Sequence, residues 1–594
     1  MKQVLFLITT LCLSFTLFSQ ETPTVEYTLE ANVEESQAGK TQDSTSANSS
    51  KSEVPQKTDV LAVGKLSTES PKPGALKQVS AKVDGFIEAV TATIFDVLFY
   101  DLSFGLAKVE LTDKDGDPIY ETKMISGVEQ KLPKKSSGIP LIVATLMLGG
   151  IFFTIRYSFI NLRLFKHAIA VVRGKFDRPN EAGDVNHFKA LTSALSATVG
   201  LGNIAMVAIA VKAGGPGAIF WMILAAFFGM ASKFSSCTLA QKYRIVNPDG
   251  TFSGGPMYYL ELALKDKGVF LKNFGSALAV LYALMIMGGA LGGGNMFQGS
   301  QTLAAISKDF FNNEISTNMQ WGIGVAMAAL VALVILGGIK RIGTATEFIV
   351  PGMCALYVIV SLVIIGSNPK EIFPAVSSII SMAFSNEAMF GGFIGVLIMG
   401  VQRAAFSNEA GLGSASIAHA AAKNEEPVME GVVAMIGPFI DTIIVCSMTG
   451  LVIVITDVCN IHPEFDGSQL TSAAWGTLGG VMPQILTVCI VLFAFSTMVS
   501  WCYYGERGWI YLVDRFYKNG AGVSTLVCFR VIFVLCVLVG FVVEPGSVLD
   551  FSDAMILGMA LPNIIGMVIL SGKVRGWAKD YVNKLKSGEI APTK

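Results

Sequence analysis

Ser196-Ala197-Thr198-Val199-Gly200-Leu201-Gly202-Asn203 lies in the middle of an apolar stretch, and Phe406-Ser407-Asn408-Glu409-Ala410-Gly411-Leu412-Gly413-Ser414 repeats its Gly-Leu-Gly core further along the chain. Paired glycines weaken a helix and uncover backbone polar groups. Lipid cannot satisfy those groups, so such a break survives in a membrane only where protein buries it or where it lines a cavity. Matching interruptions in the two halves of a hydrophobic region point to the binding site of a transporter.

The surrounding composition fits that setting. Of 594 residues, 52% are hydrophobic and 15% charged, and the mean hydropathy is +0.56, too apolar for a soluble globular chain of this length. The chain reads as an all-α polytopic membrane protein. Its formal net charge of -1 offers nothing to nucleic acid. The nine cysteines show no repeated short spacing, so a disulfide framework or zinc site is not indicated and they read as small core residues.

Residues 1–20 carry Lys2, an apolar run from Val4 to Phe18, then Ser19-Gln20, which reads as a secretory signal peptide, with an uncleaved anchor as the alternative. Residues 21–80 are rich in Ser, Thr, Glu, Lys and Gln and read as a disordered polar linker. Residues 81–138 are expected to form an extracytoplasmic segment at the membrane surface. It combines an amphipathic helix near Gly85 to Phe104 with a hairpin over Lys108 to Lys123, turning at Asp115-Gly116.

From there to about residue 575, with a cytoplasmic tail at 576–594, about eleven stretches are long enough to cross a ~30 Å hydrocarbon core. They fall near 139–160, 187–212, 215–241, 272–307, 320–339, 347–366, 387–419, 429–456, 478–503, 522–543 and 551–571. Basic residues concentrate in alternate loops. Arg163, Lys166, Arg173, Lys175 and Arg178 follow the first span; Lys340 with Arg341, then Arg507, Arg515 and Lys518, and finally Lys573 to Lys586 share its side. The predicted outer loops Asp457 to Gly476 and Val543 to Asp550 carry no Lys or Arg. That bias places the C-terminus in the cytoplasm and the N-terminal segment outside an inner, or cell, membrane. Setting the first span aside leaves two sets of five, each opened by a broken helix. An odd number of crossings separates the sets, so they form an inverted repeat.

The broken helices carry most of the chemistry. A half-helix restarting near Gly202 offers free amides and a positive dipole end to a carboxylate, while the carbonyls before the break suit a cation. Asn203 can serve either. At the second break Glu409 can pair with Arg403, accept a proton or cap the half-helix. Asp441, in Phe439-Ile440-Asp441-Thr442, fits a helix–helix hydrogen-bond partner better than a cation ligand. In the third member of each set, Gly292-Gly293-Gly294-Asn295-Met296-Phe297-Gln298 and Phe495-Ser496-Thr497-Met498-Val499-Ser500-Trp501 place an amide and hydroxyls. Taken singly, each suits helix packing; in symmetry-related positions they suit a ligand. His167, His187, His419 and His462 have no metal spacing, and no phosphate-binding loop is present, so the chain reads as neither an enzyme nor an ATP-driven pump.

These residues resemble the alanine or glycine:cation symporters, also called sodium:alanine symporters, which have the leucine-transporter fold. The resemblance runs over about 139–575 through Thr198 to Val207, Gly254-Gly255-Pro256-Met257-Tyr258-Tyr259, Gly294 to Gln298, Ser407 to Ala415, Asp441-Thr442, Phe495-Ser496-Thr497 and Tyr504-Gly505-Glu506. Residues 106–137 and the long polar tail depart from the family's pattern. The resemblance implies sodium-coupled uptake of alanine or glycine by alternating access, with Na+ as the coupling ion and no cofactor. It implies that amides near Gly200 and Gly202 hold the substrate carboxylate, with Asn203, Gln298 and Thr497 as polar contacts and Trp501 limiting substrate size. Sodium would sit among Ser196, Val199, Ser496 and Thr497, and a second ion near Thr198 and Asn203. Glu409, Arg403 and Asp441 would couple or gate. Physically, a hard cation suits oxygen-only ligands and would offset a carboxylate buried where few fixed anions stand. Proton coupling through Glu409 and a non-transporting amino-acid sensor are the alternatives; no channel filter motif is present.

Overall fold

The computed structural model describes residues 94–102, 120–125, 128–133, 138–178, 181–247, 249–336, 338–385, 392–517 and 520–593, with isolated positions before 94. The expected signal peptide, the polar linker and the turn at Asp115-Gly116 lie outside the described residues. Strand pairing is present further along: Tyr120–Ile125 pairs antiparallel with Val128–Pro133. The end of the expected amphipathic helix packs inward, with Leu98 buried in the same core as the membrane helices.

Among the described residues, seven helices are long and apolar enough to cross a bilayer: Gly217–Lys242, Val269–Phe311, Thr317–Ile335, Thr346–Ser367, Pro427–Ile455, Met482–Tyr517 and Pro545–Ser587. The pair His187–Thr198 and Gly202–Gly214, bent by 51°, makes an eighth. Shorter apolar helices, Leu141–Arg156, Phe393–Asn408 and Leu526–Gly540, occupy the remaining expected positions. By length and hydropathy up to eight crossings stand among the described residues, with the three shorter helices at the other expected positions. The chain unwinds after Asn408 and resumes as Ala415–His419.

The two broken helices run antiparallel. Val185, entering the first, bridges Ala422, leaving the second, and Lys423 N donates to the Val185 carbonyl at 2.7 Å. At the opposite side, Val207–Gly214 packs on Gly392–Asn408. Around this pair the helices grade from core to lipid-facing. The apolar window of Pro545–Ser587 is 78% buried and that of Thr317–Ile335 only 28%, with Val325, Leu330 and Leu333 facing outward.

Among the described residues, three π-helical turns, Gly202–Met206, Gly292–Met296 and Phe439–Cys446, interrupt helices in the interior. Each wide turn shifts the face that follows it, a feature frequent at functional sites. Asn203 and Asp441 lie on two of them, and Gln298 lies just beyond the third.

Candidate transport site

The first half-helix starts at an Asn186 cap, whose Oδ1 accepts from Lys189 N at 2.8 Å, and stops at Thr198. A helix end leaves carbonyls and amides without intrahelical partners. Here distant side chains supply them. The Ser196 carbonyl accepts from Thr497 Oγ1 at 2.9 Å and the Ala197 carbonyl from Trp501 Nε1 at 3.0 Å. Beyond the break, the Gly200 amide donates to Asn203 Oδ1 at 2.9 Å and the Leu201 amide to Gln298 Oε1 at 3.2 Å. Gly200 has no room for a side chain, because a Cβ would stand 2.3 Å from Thr497 Oγ1. Trp501 lies equally close over Gly294, where a Cβ would meet the indole at 2.3 Å.

Residues expected at the substrate site and at the ion site thus converge on one buried knot. Ser196 Oγ donates to the Ser496 carbonyl at 2.8 Å, and Ser496 Oγ to the Phe493 carbonyl at 3.0 Å. Val199 carries the bend, with φ -78° and ψ 87°. Gly202 lies in the π turn against the second broken helix, a Cβ there falling 3.2 Å from Ser407 Cα. Thr198 turns its hydroxyl back to the Ala194 carbonyl at 3.2 Å. Leu201 is an addition to the expected set: its amide, one position before Gly202, is the second one capped at the break.

Asp441 joins the two breaks. Its Oδ1 accepts from Asn203 Nδ2 at 2.7 Å, and its Oδ2 accepts from Ser407 Oγ at 2.8 Å and Thr442 Oγ1 at 2.7 Å. A fixed anion therefore stands beside Asn203, where few were expected. The second break is satisfied largely from within: Ala410 N donates to Asn408 Oδ1 at 2.9 Å, and Ser414 Oγ to Glu409 Oε2 at 2.6 Å. Asn563 Nδ2 adds a bond to the Gly411 carbonyl at 2.7 Å.

A family profile described as "Sodium:alanine symporter family" matches residues 123–594, more than half of the chain and the whole of this site. The chain belongs to that family. The sodium/alanine symporter AgcS of Methanococcus maripaludis is 41% identical over 454 residues, 76% of this chain and 96% of the relative. A probable sodium/glutamine symporter of Bacillus subtilis, GlnT, is 33% identical over 452 residues, 76% of this chain and 89% of the relative. A crystal structure of MhsT in complex with L-phenylalanine aligns with a TM-score of 0.42 at 12% identity, covering 67% of this chain and 100% of that one. The chain is a multi-pass membrane protein and an amino-acid symporter, not an enzyme.

Of the roles expected for Glu409 in this symporter, pairing with Arg403 is not formed, while capping of the following half-helix is. Arg403 does not reach Glu409: its Nη2 donates to Asp553 Oδ2 at 2.8 Å and its Nη1 to Asp553 Oδ1 at 3.1 Å. Glu409 instead holds Ser414, at the start of the Ala415–His419 half-helix. The two carboxylates compete for the guanidinium by geometry: Arg403 lies within a helix and Glu409 just past its end at φ 56°, turned toward the next half-helix.

Sequence reasoning also missed a buried cluster. Glu430 takes His187 Nδ1 on Oε2 and His419 Nδ1 on Oε1, the latter at 2.6 Å. It ties the start of the first broken helix to the end of the second. The helix Ser468–Gly476 was missed as well; Thr471 Oγ1 donates to the Ile204 carbonyl at 3.1 Å, directly above the first break. Neither leaves a short motif, because the partners lie far apart in sequence. Among the described residues the free cysteines Cys237, Cys446, Cys489 and Cys502 are buried, Cys354, Cys459 and Cys536 are half-buried and Cys528 is exposed.

Proposed function

We propose that this symporter couples Na+ to the uptake of alanine or glycine by alternating access, through the first broken helix. The observation that carries this reading is the pair of amides at Gly200 and Leu201, each held by a neutral side-chain oxygen rather than by backbone. Asn203 and Gln298 can release those amides to a substrate carboxylate without leaving a buried donor unpaired. Gly202, one residue on, extends the same amide surface. Thr497 then remains as a polar contact and Trp501 bounds the side-chain end. Its indole against Gly294, with Phe406 on Gly293, favours a small side chain.

On the other side of the break, the carbonyls of Ser196 and Val199 with the hydroxyls of Ser496 and Thr497 form an oxygen-only set suited to sodium. Thr198 and Asn203 are a weaker second position, adjoining Asp441. Glu409 and Asp441 couple the breaks, and Arg403 braces the second helix against Asp553. The Lys and Arg distribution supports a cytoplasmic C-terminus.

Proteoliposomes loaded without sodium test the reading. An imposed inward sodium gradient should accumulate alanine above equilibrium, with glycine competing more strongly than glutamine. Binding without accumulation would leave a sensor in its place, and accumulation driven by a proton gradient alone would move the coupling role to Glu409.

A further inference from the structure

The two broken helices meet at one end in a seam of backbone bonds, on the side that the Lys and Arg distribution assigns to the cytoplasm. Asp184 N donates to the Ala421 carbonyl at 2.8 Å and Asn424 N to the Ala182 carbonyl at 3.2 Å, flanking the bond from Lys423 N to Val185. The chains lie so close that a Cβ on Gly183 would stand 2.5 Å from Lys423 N.

Arg244, just past the end of Gly217–Lys242, lies across this seam. Its Nη1 donates to the Ala420 and Ala422 carbonyls at 3.0 and 2.6 Å, and its Nη2 to the Ala182 and Asn424 carbonyls at 2.8 and 2.9 Å. One guanidinium thus holds three carbonyls that follow the second half-helix and one that precedes the first. Gln241 Nε2 adds bonds to the His419 and Ala422 carbonyls, both at 3.0 Å. Glu430 reaches the same end from Pro427–Ile455 and holds both half-helices at once, through His187 at the start of one and His419 at the end of the other. The Nε2 atoms of both rings are buried without a partner, so Glu430 carries the side-chain hydrogen bonding of both. A side chain that merely capped the second half-helix would take its last carbonyls. Ala182 belongs to the other chain segment.

Toward Met482–Tyr517 the first half-helix is held differently. Its bonds there lie at the break itself and use side chains, from Ser196 to the Ser496 carbonyl and from Thr497 and Trp501 back to Ser196 and Ala197. Those are bonds a bound ion or substrate can replace. Parting the two half-helices would instead strand the guanidinium, Glu430 and several backbone groups together, each losing a partner inside protein.

We propose that Arg244 and Glu430 are positioning residues for transport, yoking the two half-helices at this end so that the path opens beside the pair and not between its members. The proposal rests on the alternating-access reading above and deepens it. Neither residue touches the substrate site.

The test replaces the yoke by a covalent bond. Val185→Cys/Ala422→Cys places one thiol on each side of the seam, and oxidation to the disulfide is followed by mass spectrometry, with the unsubstituted chain oxidised in parallel. In proteoliposomes the linked protein should take up alanine within twofold of its reduced form. Uptake lost on linking and regained with reductant overturns the proposal, because the half-helices would then have to part. Arg244→Gln should lower the initial rate at least tenfold while alanine binding at saturating sodium changes less than twofold. Adding the disulfide to Arg244→Gln should return most of that rate, a rescue that a plain helix cap would not show. A wild-type rate in Arg244→Gln, or a loss the disulfide does not recover, also overturns it; should Arg244→Gln not fold, the linked and reduced forms of the otherwise unaltered chain decide alone. The comparison needs only uptake of alanine, so a chain driven by protons in place of sodium would sink the sodium reading and still decide the yoke.

Discussion

The two Gly-Leu-Gly breaks use the same three residues for different physical ends. In the first, neither glycine has a positive φ; Gly200 is required because Thr497 Oγ1 would lie 2.3 Å from a Cβ, and Gly202 because Ser407 would lie 3.2 Å from one. In the second, Gly411 and Gly413 both have φ +86°, and Glu409 joins them at 56°. The first break is glycine for close approach, the second for a left-handed backbone. Their hydrogen bonds divide in the same way. Gln298, Thr497 and Trp501 reach the first break from other helices, whereas Asn408 and Ser414 satisfy much of the second from within it. A break held by outside side chains can exchange them for a ligand. One that closes on itself is suited to move or transmit as a unit.

The largest effects should come from removing the partners of the first break. Asn203→Ala takes away the cap of the Gly200 amide and a charge-assisted bond to Asp441, each such loss costing about 1–3 kcal/mol. Sodium-driven alanine uptake should be abolished, as it should by Thr497→Ala, while both proteins remain folded by size exclusion and thermal melting. Wild-type uptake in both variants would remove the first break from the site.

Glycine replacements sharpen the contrast next. Gly413→Ala forces a Cβ into a left-handed position and within 2.6 Å of Pro256, so it should lower thermal stability by roughly 1–3 kcal/mol. Gly200→Ala carries no left-handed penalty and should instead lose substrate affinity, with the smaller change in melting. Equal destabilisation by the two would mean that the breaks do not differ as described.

Much of this layout is legible in the sequence because a membrane demands long apolar helices and punishes any interruption. The positions of the breaks, the antiparallel pairing and the gathering of Asn203, Gln298 and Thr497 follow from that constraint. Arg403 is harder to place: two buried acids, Glu409 and Asp553, are candidates, and only the backbone turn after Asn408 decides between them. Lys233 reads as one more polar residue in a span until the Asn408 carbonyl appears opposite it. The Glu430 cluster needs three elements brought together and leaves no spacing to detect.

Ser414→Ala should have the smallest effect, and its direction separates the two regions most finely. The Ser414 hydroxyl donates to Glu409 Oε2 at 2.6 Å inside a break satisfied in part from within, with Asn563 and Lys233 reaching it from other helices. Its loss leaves a carboxylate whose other oxygen is already without a partner, at a cost of about 1–2 kcal/mol. Because the amides proposed to hold the substrate are at the first break, alanine affinity at saturating sodium should change less than twofold. The rate of uptake should fall several-fold, since the second break would no longer hold its half-helix in one arrangement. Equilibrium binding and initial uptake rates measured on the same preparation check the split. A loss of affinity with an unchanged maximal rate would place Ser414 with the first break's residues and erase the division of labour between the two.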